Sequence, residues 1–369
     1  MAKKKTSKVE HKDPIIAGLS KKYGNIIESG TKVLESLENY DTVSVSPVLD
    51  LALGGGLREG QCVVMTGDPK TGKTTTALYA AAKAQAKGKK VYYLNTEGRL
   101  TKENFRGIKG LDIDAIQIVQ ATDDTPIVSA ETYLNVLERL IKEEPDLFVI
   151  VDSTSNMVPQ DEIDGEIRTG VRNALPRLLS MFFKRISGDV ARMKAIAVFI
   201  THNIANTGGS RFSPSKMADC GNMLQFQAGT NMVITHRGKW EVPKESGNHV
   251  GQVANWTIKT SAAGGTPMTK AASWIRYGIG IDEAQELAQI GTDFAMISAR
   301  GAWYTFTTFV ENKDNPIIKS WLIDHDVDLT DESIEKAFKF QGMEKVVNFL
   351  NDNPELMDFL YDEIKEILL

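Results

Sequence analysis

Residues 67–74 form the most specific motif in this chain. They read GDPKTGKT, which matches the GxxxxGKT phosphate-loop pattern at every position. The apolar run QCVVM precedes the motif and an alanine-rich stretch follows it, which predicts a strand entering the loop and a helix leaving it. In such a loop, consecutive backbone N–H groups face the phosphates, while the lysine supplies a point charge and the threonine hydroxyl binds Mg²⁺.

The loop therefore predicts a site for a nucleoside triphosphate. The alternative is a chance glycine turn, which the flanking strand and helix disfavour. The motif does not say how the energy of the nucleotide is used. The predicted nucleotide-binding residues of the loop are Gly67, Asp68, Pro69, Lys70, Thr71, Gly72, Lys73, Thr74 and Thr75.

Length and composition limit the remaining classes of protein. A chain of 369 residues predicts one large core with smaller appended lobes. The two cysteines, Cys62 and Cys220, lie far apart and form no CxxC or Cys/His cluster, which argues against a disulfide framework or a zinc site. No apolar run reaches membrane-spanning length, and no apolar segment follows the charged start. We expect a soluble protein of the reducing cytoplasm, with no membrane partner.

Charge is distributed unevenly along the chain. Between residues 168 and 218, nine lysines and arginines accompany one acid, which makes nine minus one, or +8. Between residues 331 and 369, ten acids accompany four lysines, which makes four minus ten, or −6. This pattern indicates a local surface for a polyanion and an acidic lobe elsewhere, although solvated helix faces are the alternative.

The order of apolar patterns predicts three parts. Residues 1–40 form the first part, in which residues 14–40 carry apolar positions at helical spacing, too few for a core of their own. Residues 41–278 begin with a strand, a glycine-rich turn and a second strand, and then alternate strand and helix, as in a largely parallel α/β sheet that binds ligands at the carboxyl ends of its strands. Residues 279–369 change to short helices, which predicts a C-terminal lobe.

Three polar side chains follow predicted strands of this sheet. Asp152 ends the apolar strand LFVIVD and resembles a Walker B carboxylate, which holds the metal through water. Glu97 follows VYYLN and could activate the attacking water, although a glutamate that stabilises a helix N-terminus is the alternative. His202 follows AIAVFIT and could sense the γ-phosphate, although a structural histidine is the alternative.

Two further stretches on the nucleotide side are predicted as long loops. Residues 161–177 follow the Walker B strand and carry three arginines beside four acids, and residues 202–222 follow the next strand and carry two basic residues and one acid. Lysine and arginine beside Ile204, Phe212 and Met217 suit a nucleic-acid backbone with stacking or wedging at the bases. A mobile lid over the nucleotide is the rival interpretation.

Several segments of the sequence resemble those of one protein family. The segments VSVSPVLDLALGGGLREG, GDPKTGKTT, VYYLNTEGRLT, PQDEIDGEI, CGNMLQF and RGAWYTF occur in order, and the chain resembles RecA-type DNA recombinases of bacteria and phages along nearly all of its length. The phosphate loop names only a superfamily, whereas PQDEIDGEI and RGAWYTF are narrower signals. The resemblance implies a RecA-like P-loop ATPase core with a small N-terminal helical arm and a small α/β C-terminal lobe.

The resemblance also implies roles for individual residues. Glu97 matches the catalytic glutamate of the family, and Phe105 matches the aromatic residue against the adenine. The two DNA-binding loops match residues 164–177 and 203–222, and Phe226 matches a residue that relays the nucleotide state across the subunit interface. The resulting DNA-binding candidates are Arg168, Arg172, Arg177, Ile204, Arg211, Phe212, Lys216 and Asn222.

Some positions depart from the pattern of the bacterial members. His202 stands where bacterial members usually have glutamine, and the role of γ-phosphate sensor survives that change. Bacterial members place two lysines in the neighbour's ATP site, whereas TIKTSAAGG offers only Lys259, with Ser261 near the second position. The sequence therefore does not predict whether the adjacent subunit activates hydrolysis. We also do not expect autoinhibition by a long acidic tail of the kind that many bacterial members carry.

The implied function is an ATP-dependent DNA recombinase. ATP and Mg²⁺ bind at subunit interfaces, the basic loops order along single-stranded DNA, and the helical filament pairs that strand with homologous double-stranded DNA. ATP binding supports the filament and hydrolysis releases DNA, while the N-terminal helix docks on the adjacent subunit. Two alternatives remain: a ring-forming helicase motor on the same core, and a non-enzymatic ATP-gated DNA-binding scaffold.

Overall fold

A computed structural model describes residues 13–24, 26–166, 174–205, 216–219, 222–242 and 246–368. Contacts between Cα atoms divide the chain into a unit that ends at Asp41 and a second unit, Thr42–Leu369. Across the ranges given, no helix combines the length and the apolar character that a membrane span requires.

The first unit holds two short helices, α1 (Pro14–Tyr23) and α2 (Gly30–Glu38). Asp13 caps α1 by accepting a hydrogen bond from the backbone N–H of Ile15 at 2.8 Å. Neither helix buries a residue. Their exposed apolar side chains include Ile15, Leu19, Tyr23, Val33, Leu34 and Leu37. The apolar spacing predicted for residues 14–40 thus forms helices with uncovered apolar faces, and the docking of this arm on another subunit stays a prediction.

The second unit begins with the elements of the predicted ATPase core. In chain order they are β1 (Thr42–Val43), α3 (Pro47–Leu53), β2 (Leu57–Arg58), β3 (Gln61–Gly67), α4 (Lys73–Ala86), β4 (Val91–Asn95), α5 (Lys102–Phe105), β5 (Ile116–Val119), α6 (Ala130–Glu143), β6 (Phe148–Asp152), α7 (Gln160–Asp164), α8 (Ala174–Arg192), β7 (Ile196–Ala205), β8 (Lys216–Ala218), α9 (Asn222–Gln227), β9 (Thr230–Glu241), β10 (His249–Thr260), β11 (Thr269–Arg276) and β12 (Gly280–Ile281). The helix α3 was not predicted; Pro47 at its first turn and Gly54 in the left-handed region at its end explain why it forms there.

Strands β3 to β12 form a ten-stranded sheet in the order β12-β11-β10-β9-β3-β7-β6-β4-β5, with β8 paired to β7, and β1 and β2 pair separately. Strands β9, β3, β7, β6, β4 and β5 run parallel, which confirms the predicted α/β class. Strands β9 to β12 pair in antiparallel fashion and extend the sheet on one side. That extension was not predicted, because strand propensity does not encode the direction in which a strand pairs.

Both faces of the sheet are covered. Residues of β3 alternate between the faces: Val63 and Met65 join the cluster that includes Leu78 of α4, while Val64 joins the cluster that includes Phe183 of α8. Because both faces are buried there, the central strands β3 and β6 are apolar along their middles and carry polar groups at their ends. The carboxyl ends of β3, β4, β6 and β7 meet at one edge, where Gly67 pairs with His202 and Asn95 with Asp152.

Residues beyond β12 build a third apolar cluster. Its elements are α10 (Glu283–Asp293), β13 (Ile297–Arg300), β14 (Trp303–Phe306), α11 (Thr307–Glu311), α12 (Pro316–Asp324), α13 (Asp331–Ala337), β15 (Lys339–Gln341), α14 (Met343–Asp352) and α15 (Pro354–Leu368). Phe306 and Phe309 stack at 4.7 Å in this cluster. The Tyr361 hydroxyl donates to the buried Asp50 carboxylate of α3 at 2.5 Å, so the cluster packs on the core within one compact unit. The boundary at residue 278 stays a prediction.

Candidate functional site

A cleft of about 470 Å³ lies at the carboxyl edge of the parallel strands. The loop between β3 and α4 forms one wall, and the ends of β4, β6 and β7 form the floor. The turn at residues 277–280 and the side chain of Gln252 close another side. The cleft thus occupies the position at which doubly wound sheets bind ligands.

The loop backbone leaves a cradle in this cleft. Gly72 has φ 104°, and a Cβ at this position would lie 2.3 Å from Cδ1 of Ile275. Only glycine therefore fits there. The hydroxyl of Thr71 donates to the carbonyl oxygen of Asp68 at 2.8 Å and braces the turn. The cradle matches the backbone shape that surrounds phosphate groups.

Lys73 is the buried cation of the site. Its Nζ donates to the carbonyl oxygens of Gly67 at 3.0 Å and Asp68 at 2.9 Å. Burial lowers the pKa of Lys73 to about 8, and the negative charges of Asp152, Glu97 and Asp68 oppose that shift. A polyphosphate in the cradle would stabilise the charged form of this side chain.

Thr74 and Asp152 fit the predicted Mg²⁺ site. The Thr74 hydroxyl donates to Oδ2 of Asp152 at 2.7 Å, so a hydroxyl and a carboxylate lie together beside the phosphate cradle. Burial raises the pKa of Asp152, and hydrogen bonds from Thr74 and Tyr93 oppose that shift. The described residues contain no cluster of three or more His, Cys, Asp or Glu side chains suited to a metal. This donor set suits Mg²⁺, which takes few protein ligands and completes its shell with water and phosphate oxygens.

Glu97 and His202 form a direct pair at the same edge. Oε1 of Glu97 lies 2.6 Å from Nε2 of His202 and accepts a hydrogen bond from the Ser153 hydroxyl at 3.1 Å. The hydrogen bond with His202 is the largest cause that lowers the pKa of Glu97, so this carboxylate stays ionised at neutral pH. Nδ1 of His202 lies 3.5 Å from Nζ of Lys73, and because a carboxylate can only accept, Nε2–H of His202 donates to Glu97. The histidine thus joins the candidate base to the loop lysine.

Two predicted site residues lie outside this cleft. Phe105 ends α5 and packs, partly buried, against the core cluster, while its neighbours Asn104 and Arg106 line the cleft. Lys259 lies seven residues beyond Gln252 on β10, roughly 23 Å along an extended strand. Within a single chain, neither side chain meets the phosphate cradle. A role of Lys259 in another subunit's site stays a prediction.

The predicted DNA-binding residues fall on different kinds of structure. Arg168 and Arg172 lie outside the described residues, and so do Arg211 and Phe212. Arg177 is exposed in the first turns of α8 rather than in a loop, because that helix begins at Ala174.

The described residues of the second stretch include two antiparallel strand segments where a loop was predicted. Strand β7 continues through Ile204 to Ala205, and Ala205 pairs with Lys216 of β8. Asn222 begins α9. These segments were not predicted, because their antiparallel pairing depends on the choice of partner strand, which the local sequence does not encode. Phe226 of α9 is 79% exposed, and its relay role stays a prediction.

Three contacting residues at the site were missed in the sequence. The hydroxyl of Tyr93 donates to Oδ2 of Asp152 at 2.7 Å. The side-chain amide of Asn203 donates to Oδ1 of Asp68 at 3.2 Å and ties β7 to the phosphate loop. Ser153 holds Glu97, as described above. The sequence did offer a signal for two of them: polar residues lie within and directly after the apolar strands VYYLN and LFVIVD, and buried polar residues rarely lack hydrogen-bond partners.

Comparison with known proteins agrees with this geometry. A family model described as the RecA N-terminal domain matches residues 13–282. Protein RecA of Thermotoga neapolitana is 29% identical over 345 residues, which cover 93% of this chain and 88% of that protein. Protein RecA of Streptomyces venezuelae is 28% identical and covers 96% of this chain and 84% of that protein. Protein RecA of Lactobacillus acidophilus is 26% identical, with coverage of 96% and 94%.

The family model spans well over half of the chain, and the relatives extend the similarity across the remaining C-terminal cluster. The phosphate cradle and the α/β sheet lie within the matched residues. The chain therefore belongs to the RecA family of recombinases.

Proposed function

We propose that this recombinase binds ATP with Mg²⁺ in the cleft, assembles into a helical filament on single-stranded DNA and pairs that strand with homologous double-stranded DNA. Family membership implies nucleotide binding and a DNA-dependent ATPase, and the named residues are our assignment. The cytoplasm is the compartment that we propose, in keeping with the buried free thiol of Cys62.

One observation carries this proposal: a single strand joins the nucleotide cleft to the predicted DNA-binding segment. His202 contacts Glu97 and Lys73, and the next three residues of β7 enter the hairpin with β8. The backbone N–H of Asp219 donates to the carbonyl oxygen of His202 at 2.9 Å, so the returning strand is bonded to the same residue. A shift of His202 on nucleotide exchange would therefore be transmitted to the DNA-binding segment through a few hydrogen bonds.

The proposed chemistry uses the groups that line the cleft. The backbone of the loop and Lys73 bind the β- and γ-phosphates, and Thr74 and Asp152 hold Mg²⁺, which neutralises charge on the phosphate oxygens when it is bound. Glu97 takes the proton of the attacking water as the water oxygen bonds to the γ-phosphorus, and the bond from that phosphorus to the β–γ bridging oxygen breaks, which leaves ADP and phosphate. His202 orients Glu97 and senses whether the γ-phosphate is present. No feature of the site favours the helicase or the scaffold alternative.

Joint-molecule formation tests the function. The full-length protein is mixed with single-stranded DNA, homologous duplex and either ATP or a slowly hydrolysed ATP analogue. We expect helical filaments on the single strand in electron micrographs, together with D-loops that require homology. DNA binding without D-loops under any nucleotide would contradict the proposal, and rings rather than helical filaments would favour the helicase alternative.

Salt dependence tests the basic surface beside the first DNA-binding stretch. Arg177→Ala should weaken single-stranded DNA binding and reduce the slope of log affinity against log salt by up to about 0.7, the single-strand value for one phosphate contact. Arg139→Ala is the matched control, because Arg139 is an exposed arginine on α6 that pairs with Glu143. Equal slopes in the two variants would remove Arg177 from the DNA surface. Weakened ADP binding in Arg177→Ala would instead support the lid interpretation.

A further inference from the structure

Tyr93 makes an unusual contact with the Walker B carboxylate. Its hydroxyl donates to Oδ2 of Asp152 at 2.7 Å, and its side chain lines the cleft although the residue is only 2% exposed. Thr74 donates to the same oxygen at 2.7 Å. Within the part of the chain that the structure describes, Oδ1 of Asp152 accepts no hydrogen bond. One carboxylate oxygen is thus doubly held and the other is left for a further ligand.

The sheet register explains why Tyr93 reaches this carboxylate. Tyr93 pairs with Ile150 on the neighbouring parallel strand, and Asp152 lies two residues further along, on the same face of β6. Such a diagonal neighbour lies about 7–8 Å away, within reach of an aromatic side chain but not of a short one. A tyrosine at this position therefore places its hydroxyl at the carboxylate, whereas a phenylalanine fills the same space without a donor.

The two donors to Oδ2 differ in what else they do. The Thr74 hydroxyl belongs to the phosphate loop and is the proposed metal ligand, so its orientation depends on the metal. The Tyr93 hydroxyl comes from a buried strand and has no other hydrogen bond among the described residues.

We propose that Tyr93 is a positioning residue for the metal of the nucleotide site: its hydroxyl fixes one oxygen of Asp152, and thereby the orientation in which the carboxylate meets Mg²⁺ and its water. This inference rests on the proposed function, because Mg²⁺ is part of it. Outer-shell hydrogen bonds of this kind typically change metal affinity by about 10–100-fold when removed.

Binding of Mn²⁺ in place of Mg²⁺ tests the inference without turnover. Free Mn²⁺ is followed by electron paramagnetic resonance in the presence of full-length protein and ADP, and metal-free ADP binding is measured separately in excess chelator. For Tyr93→Phe we expect half-saturation at roughly tenfold higher Mn²⁺. Metal-free ADP binding should stay within about twofold of wild type, which also reports that the cleft has folded.

Tyr133→Phe is the matched control. The Tyr133 hydroxyl is also buried beside β4, but it donates to the backbone carbonyl of Asn95 at 3.3 Å and does not contact Asp152. Its Mn²⁺ dependence should equal that of wild type. An unchanged or tighter Mn²⁺ affinity in Tyr93→Phe would overturn the inference, as would an equal loss in Tyr133→Phe. Failure of the wild-type protein to bind ADP and Mn²⁺ would instead overturn the proposed nucleotide site itself.

Discussion

Glu97→Gln separates the chemical role of this side chain from its structural role. The amide keeps the size of the glutamate, and its oxygen can still accept hydrogen bonds from Ser153 and from Nε2–H of His202, which lie 3.1 and 2.6 Å from Oε1. The substitution therefore removes the negative charge and the basic oxygen while the cleft keeps its contacts. We expect the variant to fold and to bind ATP.

The size of the effect follows from these contacts. A general base contributes about 10²–10⁴ in rate, so kcat should fall by that factor, equivalent to about 3–5 kcal/mol in the activation free energy. The contact with His202 changes from a charge-assisted to a neutral hydrogen bond, which costs on the order of 1 kcal/mol and limits the change in ATP affinity to about fivefold. Filaments on DNA should consequently persist longer than those of wild type, because hydrolysis is proposed to release DNA.

Single-turnover hydrolysis on saturating single-stranded DNA measures this effect, with DNA release followed in parallel. Glu103→Gln is the control, since Glu103 is a second carboxylate that lines the cleft, on α5 and away from His202. Hydrolysis in Glu97→Gln within tenfold of wild type would refute the role of general base and leave Glu97 a structural residue. A comparable loss in Glu103→Gln would show that the assay reports nucleotide binding rather than chemistry.

Three further predictions concern Lys73, His202 and Glu286. Lys73→Ala should weaken ADP binding by about 10–100-fold, through the loss of charge-assisted bonds to phosphate, as measured by calorimetry; unchanged affinity would contradict the cradle. His202→Ala removes the largest cause of the lowered pKa of Glu97, so the acid limb of the kcat profile should move to higher pH; a fixed limb would contradict the pairing. Burial raises the pKa of Glu286 to about 8, so the folded state holds a proton that the unfolded state releases, and the free energy of unfolding falls as pH rises from the unfolded pKa of 4.5 through 8. In urea unfolding, Glu286→Gln should therefore lose less stability than wild type over that pH range. Parallel curves of stability against pH for the two proteins would contradict this prediction.

Local signals carried the sequence-based predictions that the structure and the comparisons confirm. The phosphate loop can be predicted from the sequence because its chemistry depends on the backbone of consecutive residues. Its turn needs a positive φ at Gly72, which favours glycine. The strand Phe148–Asp152 can be predicted because a strand that is buried on both faces of a parallel sheet has a continuous apolar sequence. The order of these segments along the chain was sufficient to indicate the family.

Which polar side chains contact each other depends on the tertiary structure. Glu97 and His202 are 105 residues apart in the chain and Tyr93 and Asp152 are 59 apart, and both pairs form only because β4, β6 and β7 are neighbours in one register. The antiparallel strands β9 to β12 and the hairpin of β7 with β8 depend likewise on the choice of pairing partner. Period-two patterns place a residue on a face of a sheet but carry no information about the neighbouring strand, so these contacts follow from packing of the whole sheet rather than from any local segment.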